Sequence, residues 1–346
     1  MKKILVAVLA ALMLLTACDQ SDTSFGGLKA TTVKEEETNG EERQPSIWVE
    51  GDTYPLTVHD YLGNEVVLKE DNTDMAAVLS GTPLNIWYDL GGKSICSSEI
   101  SENVKLVKGC EKEMLALPEI GPVYSIDMEA VMEHNPKLII AQVGTQTAQA
   151  SKLSQMGYDV IQTDIVTFDD LIDTYRAFGK ILGKSELAEE RIDELIKGKE
   201  KLVNMLPDDK TKIAILYVTS GSLAVKLDNS ISGNVAQILK LENIASNLPP
   251  DTIGSQTTPL DIEYLVEQDP DYLLVTTMIS SNEEAKRVVE EQFNSNEAWK
   301  SVRAVQENRI IYLPQEYFLY NAGPYFNEGI EYVAKSIYPE VYGEIK

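Results

Sequence analysis

Two short acidic segments offer the first chemistry in this chain. SIDMEAVMEHNPKLII at 125–140 and PLDIEYLVEQDPDYLL at 259–274 align at a constant offset of 134, pairing Asp127 with Asp261, Glu129 with Glu263, Glu133 with Glu267 and Pro136 with Pro270. Apolar positions keep the same register: Ile126 with Leu260, Met128 with Ile262, Val131 with Leu265, Ile139 with Leu273. Each segment predicts an acid-started helix, a proline-containing turn and a buried strand. Acids favour a helix's first turn for dipole reasons alone, which accounts for either segment by itself. It does not account for the shared register, which points to two related halves.

Other chemistry finds little material. The Ser/Thr-rich runs GTQTAQ and TSGSL form no nucleophile elbow, and no glycine-rich phosphate loop is present. The chain has two histidines. His59 falls in a predicted β-hairpin and His134 at a helix end, where a cation suits the dipole, so no metal ligand set is expected from them. Three cysteines exclude a disulfide-dense scaffold and a four-cysteine metal site. Cys96 and Cys110 could close a loop in an exported chain, or stand free in a reducing habitat. Met278, after a strand, is a soft side chain that suits core filling or a contact to a bound group. Thirty basic against 55 acidic residues leave a net charge of −25, which argues against nucleic acid as a partner.

These residues need elements to hold them. The 346 residues, 43% hydrophobic, suffice for roughly two domains. MKKILVAVLAALMLLTAC opens with Lys2 and Lys3, then an apolar run from Ile4 to Leu15 too short to span a bilayer. Residues 1–17 read as a signal peptide and Leu15–Cys18 as a lipobox, with Cys18 the lipidated residue. The alternative is an ordinary secreted chain with a chance cysteine. Residues 18–50, polar and rich in Gly, Thr and Glu, read as a disordered leash reaching on the order of 30 Å. Beyond it, 53–68 predicts two strands around a turn. PLNIWYDL, KLIIA, YDVIQ, KIAILYV, DYLLV and RIIYLP predict strands alternating with helices near 126–134, 168–181, 231–240 and 260–268. The expected class is α/β: two doubly wound lobes, 51–184 and 207–346, with mostly parallel central sheets. Residues 185–206, with apolar spacing of three to four and Pro207 as a stop, predict one long α-helix of about 30 Å joining them. Gly183 is the expected C-cap before it and Ser185 its N-cap.

The lipobox, TVHDYLGNEVVL, LPEIGPVYSIDMEAVMEHNPKLIIA, the central helix and the C-terminal AVQENRIIYLPQEYF…IYPE together resemble the substrate-binding lipoproteins of ABC importers for iron chelates and cobalamin. The resemblance runs from about residue 50 to the C-terminus. It implies a ligand cleft between the lobes and one surface glutamate per lobe, Glu129 and Glu263, docking on arginines of the membrane permease. It further implies a permease dimer with its ATPase as partners, a monomeric binding protein, tethering by lipid to the cell membrane on the extracytoplasmic face, and no enzymatic activity. No covalent cofactor besides the lipid is expected. The ligand implied is an iron chelate of the siderophore class, with cobalamin or haem as alternatives within the family. A surface hydrolase is a further reading.

Ligands of α/β lobes bind beyond the carboxyl ends of strands. By that rule Trp87, Tyr88 and Gln142 in the first lobe, and Tyr217, Lys226, Tyr317, Phe318 and Tyr320 in the second, are the candidate ligand contacts. Aromatic faces suit flat organic ligands, and Lys226 suits an anionic one. Few arginines stand near strand ends, which shifts weight slightly toward a less anionic hydroxamate chelate or corrinoid.

Overall fold

The computed structural model describes residues 43–219, 222–279, 282–320 and 323–345. Cys18 and the leash up to residue 42 lie outside them. An antiparallel sheet of β1 (Trp48–Glu50), β2 (Leu56–His59) and β3 (Glu65–Leu68) comes first. The folded body therefore begins inside the stretch expected to be leash. Ile47 is buried, the Ser46 amide donates to Asp173 at 2.8 Å, and Lys180 donates to the carbonyl of Val49 at 3.2 Å. Three consecutive apolar residues in SIWVE, of which Ile47 and Val49 turn inward and Trp48 outward, were enough to seat an edge strand on the helix bearing Asp173 and Lys180.

The first lobe follows as β4 (Ala76–Val78), α1 (Gly81–Asp89), α2 (Met128–Glu133), β5 (Leu138–Gln142), α3 (Thr147–Gln155), β6 (Asp159–Thr163) and α4 (Phe168–Ile181). Its sheet, β4-β5-β6, is parallel throughout. PLNIWYDL is helix α1, not a strand. Pro83 sits in the helix's first turn, where its missing N–H costs nothing. Residues Thr82 to Tyr88 are buried on all sides, so no polar face marks the helical period. A short run that is apolar throughout carries no periodic signal to separate strand from helix.

The linking helix α5 spans Ser185–Val203. Gly183 takes φ +63° and closes α4, as its position implied. Ser185 lies inside α5 rather than capping it; Lys184 takes the cap position. Ala188, Ile192 and Leu195 form the buried stripe of α5.

The second lobe runs β7 (Lys212–Val218), β8 (Leu223–Lys226), α6 (Ile231–Ile238), β9 (Glu242–Asn243), β10 (Thr257–Pro259), α7 (Ile262–Gln268), β11 (Tyr272–Thr277), α8 (Asn282–Ser295), β12 (Ile310–Tyr312) and α9 (Phe326–Ile337). Its sheet has the order β10-β8-β7-β11-β12, with β9 also pairing β7. β7, β11 and β12 are parallel, while β8 and β10 are antiparallel to their neighbours. Lys226, expected in a loop, is the last residue of β8.

The internal repeat is structural. Asp127 caps α2 through hydrogen bonds from the amides of Glu129 (2.9 Å) and Ala130 (3.3 Å). Asp261 caps α7 through the amides of Glu263 (2.9 Å) and Tyr264 (3.3 Å). Both helices then run into left-handed residues at the same offset, Asn135 (φ 49°) and Asp269 (φ 43°). Each turn feeds a strand paired in parallel with the lobe's first strand, Leu138 beside Ala76 and Tyr272 beside Ile213.

Apolar packing does not divide at the linking helix. One cluster belongs to the first lobe alone and one to the second. The largest joins Trp87, Phe168 and Phe178 to Ile192 and Leu195 of α5 and to Ile213, Phe326 and Ile330 of the second lobe. Residues 44–346 accordingly form a single compact unit. The linking helix lays its apolar stripe against α4 of the first lobe and α9 of the second.

Candidate functional site

The carboxyl ends of both sheets converge on one seam. After β4, Thr82 donates its hydroxyl to the carbonyl of Tyr320, which follows β12. Asn103 donates to Gln315, also beyond β12, at 3.2 Å. Beneath α4, the Phe168 amide donates to Asn234 of α6 at 3.0 Å, and the Phe168 ring meets Phe326 edge-on at 5.6 Å.

Two buried glutamines brace the strand ends. Gln146 donates to the carbonyls of Leu79 (2.7 Å) and Val123 (3.3 Å) and accepts from the Gln142 amide (2.9 Å). Gln315 donates to the carbonyls of Thr277 (3.4 Å) and Ile279. Each ties together the loops that leave neighbouring strands, which holds the rim of the seam in a fixed shape. Neither residue was singled out from sequence. The available signal was an amide directly after a predicted strand, in GTQTAQ and LPQEYF, where a buried side chain with both donor and acceptor satisfies orphaned loop backbone.

A clasp from the first lobe closes over the second. The Lys105 ammonium pairs with Glu328 and lies over the rings of Tyr325 (4.5 Å) and Tyr317 (5.5 Å). Tyr317 donates to Glu328 at 2.8 Å, and Tyr325 donates to the Leu106 carbonyl at 2.9 Å while accepting from the Lys108 amide. Burial and then the Glu328 hydrogen bond push the Tyr317 hydroxyl pKa well up.

The eight expected ligand contacts separate accordingly. Trp87 is 0% exposed, its indole N–H donating to the Lys93 carbonyl at 2.9 Å and its ring edge-on to Phe178 at 5.3 Å. Tyr88 and Phe318 are buried in the same cluster. These three present no surface to a guest and are corrected to core. Tyr317 is part of the clasp, and Tyr320 offers its carbonyl to Thr82. Gln142 stays half-buried at the end of β5 and accepts from the Ser80 hydroxyl. Tyr217 and Lys226 stay together, with the ammonium 4.4 Å from the ring centre. Two cavities, of about 320 and 400 Å³, lie elsewhere. The first is in the second lobe between Leu223, Ile262 and Trp299; the second lies among Asp89, Arg191, Tyr325 and Asn327. None of the eight lines either one.

Glu129 and Glu263 are exposed, each in the first turn of its capped helix. Cys96 and Cys110 are free thiols, the second of the two states left open for them; Cys96 is fully buried and its thiol is pushed up to about 12. His59 stacks on Trp48 at 3.6 Å beside Glu50, and among the described residues no group of three or more His, Cys, Asp or Glu could hold a metal ion.

At the end of β6, Asp164 is half-buried and burial raises its carboxyl to about 6 from 3.8, with Asp170 adding to the rise. A raised acid weakens the fold once it ionises, so this penalty is absent below pH 3.8 and complete above about 6. Asp164→Asn is therefore expected to raise stability at pH 7, by roughly 3 kcal/mol at most, and to have little effect at pH 3.5. Urea melts at the two pH values measure this; an equal effect at both would remove the desolvation account.

A model of the periplasmic binding protein family matches residues 77–317. The chain belongs to the periplasmic binding protein family. Among relatives, YvrC of Bacillus subtilis, an ABC transporter substrate-binding lipoprotein, is 22% identical over 306 residues, covering 85% of this chain and 88% of YvrC. IsdE of Staphylococcus aureus, a high-affinity heme uptake system protein, is 25% identical over 201 residues, 58% of this chain and 67% of IsdE. The structure of IsdE complexed with heme aligns with a TM-score of 0.65 at 20% identity, covering 76% of this chain and 98% of that one. Staphylococcus aureus SirA complexed with staphyloferrin B aligns at 0.66 and 16% identity, covering 81% and 98%. The structural likenesses bear on the fold, and this periplasmic binding protein shares it: two α/β lobes, the first with a parallel sheet and the second with a parallel core of β7, β11 and β12.

Proposed function

We propose that this protein is the extracytoplasmic binding component of an ABC importer, capturing an iron chelate, by preference a siderophore complex, in the seam between its lobes. The observation that carries the reading is geometric. Both sheets aim their carboxyl ends at one seam, and the same two lobes each present an identically capped helix with one exposed glutamate in its first turn. In this reading Glu129 and Glu263 meet permease arginines, and the partners are a permease dimer and its ATPase. The protein acts as a monomer held at the cell membrane by a lipid on Cys18. The lobes shift modestly on binding, since one helix and a shared core resist hinging. Haem is the second reading, favoured by the likeness to IsdE in sequence and fold.

Calorimetric titration tests the ligand class. Its three tryptophans are poor reporters, since Trp87 and Trp299 are buried and Trp48 lies on the β1-β2-β3 sheet. A ferric hydroxamate, ferric staphyloferrin B, hemin and cyanocobalamin should be titrated in parallel. One-to-one binding in the micromolar range or tighter is expected for one of the iron-bearing ligands. Heat from none of the four would remove the reading.

A further inference from the structure

We propose that Lys226 and Tyr217 form an anion-binding element of the seam, receiving a carboxylate or equivalent oxyanion of the captured molecule. The inference rests on the binding-protein reading and adds the chemical class of the ligand.

The placement follows from the sheet. Side chains on a strand alternate between faces. In β7, Ala214, Leu216 and Val218 pack into the cluster confined to the second lobe, whereas Ile213 and Ile215 pack into the cluster that joins the lobes. Tyr217 continues that second row at the seam end of β7, half-buried and outside both clusters. On β8, Ala224 pairs with Tyr217 and Val225 with Leu216, so Lys226 stands one step further from the seam, on the face of Ile215 and Tyr217. Two residues of strand rise about 7 Å, close to the length of an extended lysine side chain. With its ammonium 4.4 Å from the Tyr217 ring centre, the Lys226 side chain runs back along the sheet toward the seam.

Chemistry gives the placement its meaning. The chain carries a net charge of −25, and several lysines of the described body sit against a carboxylate: Lys93 meets Glu113, Lys180 Asp52, Lys300 Glu297 and Lys335 Glu331. Among the described residues, no carboxylate pairs with Lys226; burial alone governs its titration, bringing the ammonium down to about 8. A half-buried ammonium with only an aromatic face beside it has lost hydration that one ring does not restore. An incoming oxyanion supplies the missing partner, and its attraction is strengthened by partial burial. The aromatic ring beneath the ammonium then offers a flat surface to the organic frame of the same ligand.

The test uses the full chain and two pairs of probes: hemin against hemin dimethyl ester, and ferric staphyloferrin B against cationic ferrioxamine B. Wild type is expected to bind at least one carboxylate-bearing probe. Lys226→Met, which keeps the stem and removes the charge, should weaken that binding at least tenfold. It should change binding of hemin dimethyl ester or ferrioxamine B less than twofold. Lys226→Arg should restore most of the loss, and Tyr217→Leu should weaken the same probe with the melting temperature unchanged. Equal binding by wild type and Lys226→Met overturns the anion site while leaving the binding-protein reading intact. Binding of ferrioxamine B alone overturns it in the same way. Failure of wild type to bind any of the four overturns both.

Discussion

Cells carrying the Glu129→Lys, Glu263→Lys double variant are expected to lose uptake of the cognate ligand by at least about 100-fold, while the purified variant binds that ligand within twofold of wild type. Both glutamates are exposed, and neither accepts a salt bridge within the described body that its loss would disturb. Each lies in the first turn of a helix whose amides are capped by a neighbouring aspartate rather than by the glutamate itself. Folding should therefore be nearly unaffected. Opposed charges at a docking rim become like charges, at a cost of several kcal/mol per juxtaposition. Tenfold in affinity corresponds to about 1.4 kcal/mol, so two reversals comfortably exceed the stated loss. Radiolabelled uptake beside a calorimetric Kd separates docking from capture. Undiminished uptake would remove the docking role of both residues, and a parallel fall in ligand affinity would place them in the ligand site instead.

That glutamate pair was legible in sequence because the signal was repeated. One acid-started helix is unremarkable, but two in register at an offset of 134 carry Asp127, Glu129 and Asn135 onto Asp261, Glu263 and Asp269. Strands β5, β6, β7 and β11, five to seven residues long, were equally readable from apolar-rich stretches such as YDVIQ and KIAILYV, and the three-residue β12 from RIIYLP. The linking helix was readable from its single apolar stripe and from Gly183 before it. The fate of the eight candidate contacts was not, because it depends on which face of an element a residue occupies and on what a second lobe lays over it. Tyr317 and Tyr320 do follow a strand, as expected. A loop from the other lobe, carrying Lys105, takes the first, and Thr82 takes the carbonyl of the second. Such contacts join residues more than 200 positions apart and leave no local trace.

Trp87 carries the same lesson to a measurable end. Trp87→Ala is expected to lower unfolding free energy by about 3–5 kcal/mol, the usual range for removing a fully buried large aromatic side chain. The indole packs edge-on against Phe178 of α4, and its N–H satisfies the Lys93 carbonyl. Gly92 lies so close to the ring that a Cβ there would meet the indole nitrogen at 2.5 Å. The cavity left by alanine cannot be refilled from solvent, and the Lys93 carbonyl would lose its donor. Had PLNIWYDL been a strand ending at the seam, Trp87 would form a wall of the ligand site, and alanine would cost affinity rather than stability. Urea denaturation followed by far-ultraviolet circular dichroism, with ligand titration of the fraction still folded, distinguishes the two. A stability loss below about 1 kcal/mol together with weakened binding would return Trp87 to the seam; a large loss with binding intact in the folded fraction places it in the core that fastens the first lobe to the linking helix.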